Sequence, residues 1–272
     1  MFKKLLFLVL PLTMVLVSCS TSEKLPVNNV NTPAPGFNSA GSDPKAIEIA
    51  DQVMLAMGGR ANWDNTHYLK WTFFGRRTIV WDKWENRVRV DFIDRPLKIL
   101  VDLDEMTGSV KQNGIKLTHP DSVSYYVERG RNIWINDSYW LIMPFKLKDS
   151  GVTLKYLGQK NNELDIPSDV LELTFQNTGI TPQNKYHVYV NPSSHLVTQW
   201  DYFPKATDEE PEFSSLWGGY APYGNIVLSN NRGKSGILTN IAVYEYLQDS
   251  VFITFMDVDW TKAGLNPKKK KK

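Results

Sequence analysis

Few side chains in this sequence are of the kinds that carry chemistry, and fewer stand at a spacing that chemistry requires. The four histidines, His67, His119, His187 and His195, are scattered, and no two have the spacing by which a strand or helix offers a pair of imidazoles to one metal ion. Gly233-Lys-Ser-Gly236 has the glycine, lysine and serine of a phosphate loop but lacks the upstream glycine and the strand-to-helix setting. Asp201, between Trp200 and Tyr202, could stand in a carbohydrate cleft. A glycosidase needs a second carboxylate at a defined distance, and a sequence does not display that distance. With no nucleophile elbow and no dinucleotide fingerprint either, the residues imply no catalytic set, no metal site and no cofactor, and the chain reads as a binding protein and not an enzyme.

Cys19 is the one residue with a specific chemical setting. It is the only cysteine, so no intrachain disulfide can form. Lys3 and Lys4 followed by the apolar run Leu5 to Val17 have the length and polarity of a secretory signal, too short to span a bilayer comfortably. Leu16-Val17-Ser18-Cys19 resembles a bacterial lipobox, in which the signal is cut before the cysteine and the thiol is diacylated. The spans expected are a signal peptide over 1–18, a lipidated Cys19 with a flexible tether over 19–43, a single domain over 44–267, and a basic tail over 268–272. The tether is rich in Ser, Thr, Asn, Pro and Gly. Ser20 is not the Asp of inner-membrane retention and no acidic export cluster follows, so the expected location is the outer membrane, facing the periplasm, with surface display as the other possibility.

Removing residues 1–18 takes two lysines and no acid, so the net charge of +2 falls to zero, and setting aside Lys268 to Lys272 leaves −5 on residues 19–267. That body offers nucleic acid no basic patch, and the terminal lysines read as a solvated tail.

The elements that must position anything of interest are short strands around one dense apolar stretch. Asp43 and Pro44 suggest an N-cap and first turn, and Ala46, Ile47, Ala50, Val53, Met54 and Met57 then recur at helical spacing up to Gly58-Gly59. Residues 68–118 read as an antiparallel meander with one apolar face, including a hairpin at Asn113-Gly114. From Asp121, read as a cap, to Leu141 the pattern is helical, as one helix or as two broken near Gly130, ending at Pro144. Strands resume after Gly151 and run, with a polar loop over Pro204 to Ser215, to a last strand at Val251 to Phe255.

Asn136-Asp-Ser-Tyr-Trp-Leu-Ile-Met-Pro-Phe-Lys-Leu147, preceded by Met57-Gly-Gly59 and Trp63 and followed by Gly151 and Gly179, carries a resemblance. With the initial helix, the meander and the lipobox, it resembles the LolA-like lipoprotein-carrier superfamily, and within it a family of secreted lipoproteins with no assigned activity. The resemblance implies a mainly β fold with helices: a curved, antiparallel, unclosed half barrel with an N-terminal helix and a mid-chain helical lid. It also implies a hydrophobic cavity that takes a lipid or acyl chain. The soluble carriers lack an anchor, so Cys19 argues against free shuttling. The expected ligand-binding residues are Trp71, Phe73, Val90, Trp134, Tyr139, Trp140, Met143, Phe145 and Trp200, in a monomer. The competing reading is a surface lipoprotein that binds glycan or protein, in which the same side chains fill a core.

Overall fold

The structure, a computed structural model, describes residues 30–265 apart from 177, 178 and 180. Cys19, the signal segment and the lysine tail lie outside the described residues.

Two helices, α1 (Pro44–Ala56) and α2 (Arg60–Asn65), lead into a meander of β1 (Tyr68–Phe73), β2 (Arg77–Asp82), β3 (Arg87–Phe92), β4 (Leu97–Asp102), β5 (Thr107–Gln112) and β6 (Ile115–Lys116). The long helix α3 (Pro120–Ile142) follows. Then come β7 (Val152–Asn161), β8 (Pro167–Phe175), β9 (Lys185–Val190), β10 (Val197–Phe203), β11 (Phe213–Leu216), β12 (Gly218–Tyr223), β13 (Ile226–Asn231), β14 (Thr239–Tyr244) and α4 (Ser250–Ile253). The strands build a seven-stranded sheet in the order β14-β1-β2-β3-β4-β5-β6, a five-stranded sheet in the order β11-β10-β9-β8-β7, and the β12-β13 hairpin. All are antiparallel and none is closed, so the fold is an open half barrel, and α3 lies over its concave face.

Alternation in the meander explains that face. Trp71, Ile79, Val90, Ile99 and Val110 are successive cross-strand partners on β1 to β5, and every one is fully buried. A row of aromatic and β-branched side chains in register is what stabilises neighbouring strands, and burial of each contributes roughly 1.5–3 kcal/mol. Asn113 and Gly114 turn the β5-β6 hairpin with φ of 52° and 81°, the signs a two-residue primed turn requires.

Helix α3 runs unbroken through Gly130. A Cβ at this position would stand 2.8 Å from Cγ2 of Val101 and 3.0 Å from Cγ2 of Ile99. The glycine is therefore the point where helix and sheet touch, and not a break. The N-cap position belongs to His119, with Pro120 as first helical residue, so Asp121 is in the first turn and not the cap. Past Ile142 the chain tightens into a 3₁₀ turn over Met143–Lys146, as expected for a helix that meets Pro144.

Several expectations are corrected. Asp43 stands at the N-cap of α1 without capping it: its carboxylate accepts from the Tyr156 amide at 3.0 Å and Lys155 Nζ at 3.1 Å, which hold its pKa low. The later part of the stretch read as tether is seated on the fold. Ala34 and Asn38 donate backbone hydrogen bonds to Lys148 and Val152, and Asp43 donates to Leu154, so residues 34–43 cover the open edge of β7. The polar loop over Pro204 to Ser215 ends in β11, and β12 lies in a stretch read without a strand. Val251 to Phe255 is not a strand. Val251 and Phe252 belong to α4 and pack on Tyr68 and Val80, on the convex side of the meander. Arg89, 1% exposed, holds this segment by donating to the carbonyls of Val251, Thr254 and Met256. The meander thus has a second covered face.

Gly130→Ala separates the two roles of the glycine. In an open helix the change would gain up to about 1 kcal/mol. Against Val101 and Ile99 it should instead lower stability by about 1–3 kcal/mol, read from the midpoint of urea unfolding. A higher midpoint would show that helix and sheet do not meet there.

Candidate functional site

A cavity of about 730 Å³ opens between the C-terminal half of α3, the β1-β2 turn and the inner face of the five-stranded sheet. Its helical wall follows from the period of α3. Arg131, Ile135, Ser138 and Ile142 recur at intervals of three and four and face it, while Val127, Gly130, Asp137 and Leu141 form the buried stripe beside them. The helix thus gives the sheet a buried stripe and the cavity a second, partly exposed one.

The wall is largely aromatic. Trp140 sits edge-on to Trp200 at 4.8 Å and stacks on Phe213 at 6.0 Å. Tyr139 stacks on Trp200 at 5.7 Å, and Trp134 meets Trp81 edge-on at 5.2 Å. Tyr186 and Tyr202 on adjacent strands complete this side. The indole N–H groups of Trp81, Trp134 and Trp200 and the hydroxyl of Tyr139 are buried and have no hydrogen-bond partner among the described residues. Burial raises the pKa of Tyr139 and of Tyr186, so both stay neutral. Such an aromatic surface favours apolar groups over water.

Of the residues expected at the site, Phe73, Trp134, Tyr139, Trp140 and Trp200 line the cavity. Trp71, Val90, Met143 and Phe145 do not; they are core. Trp71 shares the inner face of β1 with Phe73, but only the Phe73 end reaches the opening, and Val90 lies in the row buried beneath α3. Met143 and Phe145 are carried inward by the turn at Pro144, where Phe145 stacks on Trp63 at 4.4 Å. Trp81, Tyr186, Tyr202 and Phe213 were not anticipated. For Trp81, Tyr186 and Tyr202 the signal was present as alternation with Ile79, Val188 and Trp200, whereas Phe213 was hidden in a stretch read as loop.

Asp201, the four histidines and the Gly233 to Gly236 turn lie outside the cavity. Asp201 points away from Trp200, to the opposite face, where it accepts from Tyr189 Oη at 2.8 Å and Gln199 Nε2 at 2.7 Å. His67 contacts Asp82 at 3.0 Å, and burial lowers its pKa more than Asp82 raises it. Asp82 also accepts from Arg87 and from two backbone amides of the following turn, a structural anchor. His187 lies 3.4 Å from Glu172. His119 is exposed, and His195 occupies a turn with φ of 56°. Gly233 to Ser235 form a 3₁₀ turn after β13. Among the described residues no three His, Cys, Asp or Glu are grouped to hold a metal ion.

Two cations fix the helical wall. Arg77 of β2 makes a bidentate pair with the fully buried Asp137 of α3, at 2.6 and 2.7 Å. Burial pushes the Asp137 carboxyl up and Arg77 pulls it down. Arg232, at the end of β13, is fully buried; it donates through two nitrogens to the Trp140 carbonyl in the last turn of α3 and at 2.7 Å to Ser229 Oγ. Its guanidinium lies 3.6 Å from the centre of the Trp217 ring. Among the described residues no carboxylate pairs with it, and burial pushes its pKa down, to about 9.

Among solved structures the chain is similar to a DUF1329 family protein from Desulfovibrio piger, at 14% identity over 78% of this chain and 98% of the other, with a TM-score of 0.43. It is similar also to the LolA superfamily protein NE2245 from Nitrosomonas europaea, at 12% identity over 77% and 97% of the two chains and a TM-score of 0.38. A third is an outer membrane lipoprotein-sorting protein domain, described as putative, from Vibrio parahaemolyticus, at 10% identity over 76% and 96% and a TM-score of 0.37. No protein-family model and no curated protein matches the chain.

Arg232→Met should lower stability by about 1–3 kcal/mol, because it leaves the buried Trp140 carbonyl at the end of α3 without its donor. Arg232→Lys should recover only part of this, since an ammonium lacks the planar fork and the ring stack. Chemical denaturation of both variants measures the effect; an unchanged midpoint for Arg232→Met would remove the clamp from consideration.

Proposed function

We propose that this protein binds the hydrocarbon chain of a lipid or acylated molecule in the cavity beneath α3, and that Cys19, diacylated, tethers it to a membrane of the cell envelope, the outer membrane on its periplasmic face. The observation that supports this most directly is the cavity itself. Its volume lies within the range of small-molecule sites, and the rings of Phe73, Trp134, Trp140 and Trp200 give its wall a large apolar surface beside a smaller set of polar side chains. Each methylene that leaves water for such a wall contributes about 0.8 kcal/mol, so a long chain gains affinity without polar recognition. Of the charged groups around α3, Arg77 with Asp137 and Arg232 with the Trp140 carbonyl are spent on the scaffold, which fits a reading as a holder. Among the described residues no helix is long and apolar enough to cross a membrane, so the proposed attachment rests on the lipobox.

The chain from Ser20 to Lys272, produced without its signal segment, should carry lipid through purification in the absence of detergent, seen by mass spectrometry of the extracted protein. Trp140→Ala should weaken uptake of an apolar fluorescent probe roughly tenfold, a loss of 1.4 kcal/mol. Lipid-free protein that takes up no probe would refute the proposal, and probe binding untouched by Trp140→Ala would make that ring plain core.

A further inference from the structure

The cavity wall is largely aromatic, but its charged members are mostly cations. Arg76, Arg131 and Lys146 line it against a single carboxylate, Asp149, and that carboxylate is engaged by Lys146. This is the reverse of the body of the protein, which carries −5 over residues 19–267. The excess of positive charge at the cavity is therefore local.

Most arginines of the fold are used up in ion pairs. Arg60 pairs with Asp64, Arg77 with Asp137, Arg87 with Asp82, Arg89 with Asp91 and Arg95 with Asp94. Arg76 and Arg131 are not: among the described residues neither has a carboxylate within ion-pairing distance. Arg131 makes only a long contact, 3.4 Å, with its neighbour Asn132. Asp137, the acid whose carboxyl feels Arg76, is already bidentate to Arg77. Arg76 stands in the turn that follows Phe73 and Phe74 of the wall, and Arg131 stands one helical turn before Trp134 and Ile135. Both line the same cavity as the aromatic rings, Arg76 exposed and Arg131 half-buried.

We infer that the cavity takes an amphiphile whose head is anionic, a carboxylate or a phosphate, with Arg76 and Arg131 meeting the head and the aromatic wall meeting the chain. Guanidinium groups bind such oxyanions through charge-assisted hydrogen bonds in a planar fork, and a partner at the rim of a low-dielectric cavity is less screened than one on open surface. The inference rests on the chain-binding reading above and adds the chemistry of the head.

The test is displacement of an apolar fluorescent probe from the chain spanning Ser20 to Lys272 by four ligands of one chain length: a fatty acid, an alkyl phosphate, an alcohol and an alkylamine. The acid or the phosphate should bind about tenfold more tightly than the alcohol, with the amine weakest, and the margin should shrink as salt is added. In the double variant Arg76→Gln, Arg131→Gln the ratio of acid to alcohol affinity should fall towards one. Preference for only one of the two anions would assign the head to that class. Acid, phosphate and alcohol binding equally well would overturn the anionic head and leave the chain-binding reading standing. So would a preference that survives the double variant, since it would place the anion on other cations such as the lysine tail. Failure of all four ligands to displace the probe would overturn both.

Discussion

Arg232 sits wholly inside the protein, and its charge is met by the Trp140 carbonyl, the Ser229 hydroxyl and the face of Trp217 rather than by a carboxylate. The last carbonyls of a helix have no partner within it and carry the negative end of its dipole, so a cation there satisfies hydrogen bonds and charge together. Because Arg232 comes from the end of β13, the same contact ties the end of α3 to the hairpin outside the two large sheets. With Arg77 and Asp137 locking the helix to β2, α3 is held at two points, and the cavity lies along the face between them that turns to the five-stranded sheet.

This explains how the fold keeps an open space in a densely aromatic interior. Side chains that could close it are engaged elsewhere. Phe145 is stacked on Trp63, Leu141 and Val127 are pressed on the meander, and Gly130 lets the helix approach that sheet closely. On the other side Tyr139, Trp140 and Trp200 brace one another edge to face and face to face, which keeps large rings from collapsing into the gap. The rings of the wall pack laterally on one another, and the surface they turn to the cavity is largely apolar. A surface of that kind is what the proposed binding of a hydrocarbon chain requires. The charge at the rim then bears on which chain-bearing molecules fit.

Much of the scaffold was legible in the sequence, because strict alternation over Leu69 to Val101 and the Asn113-Gly114 turn leave little choice of register or direction. Phe73, Trp134, Tyr139, Trp140 and Trp200 were grouped by what the resemblance to the LolA-like superfamily implies, a cavity between sheet and helical lid, and not by the alternation of any one strand. What was not legible depends on distance along the chain. Val251 to Phe255 has no period, being apolar almost throughout, and only the carbonyl-binding guanidinium of Arg89 shows why it coils. Gly130 reads equally as a helix break and as a close contact. The Pro- and Gly-containing stretch before Asp43 has the composition of a linker, and nothing local shows that the edge of β7 lies waiting for its amides. Trp71 and Val90 have the right parity for the cavity but the wrong position along their strands, a coordinate that a pattern of period two does not contain.

The most direct measurement is quenching of tryptophan fluorescence by a fatty acid brominated along its chain, since bromine quenches only rings it touches. The brominated chain should quench the protein saturably, and the quenched fraction should fall when Trp134, Trp140 and Trp200 are replaced by Phe while Trp84, exposed on the far turn of β2, is kept. Quenching that is absent, or that persists in full when those three rings are gone, would contradict a chain-binding cavity beneath α3.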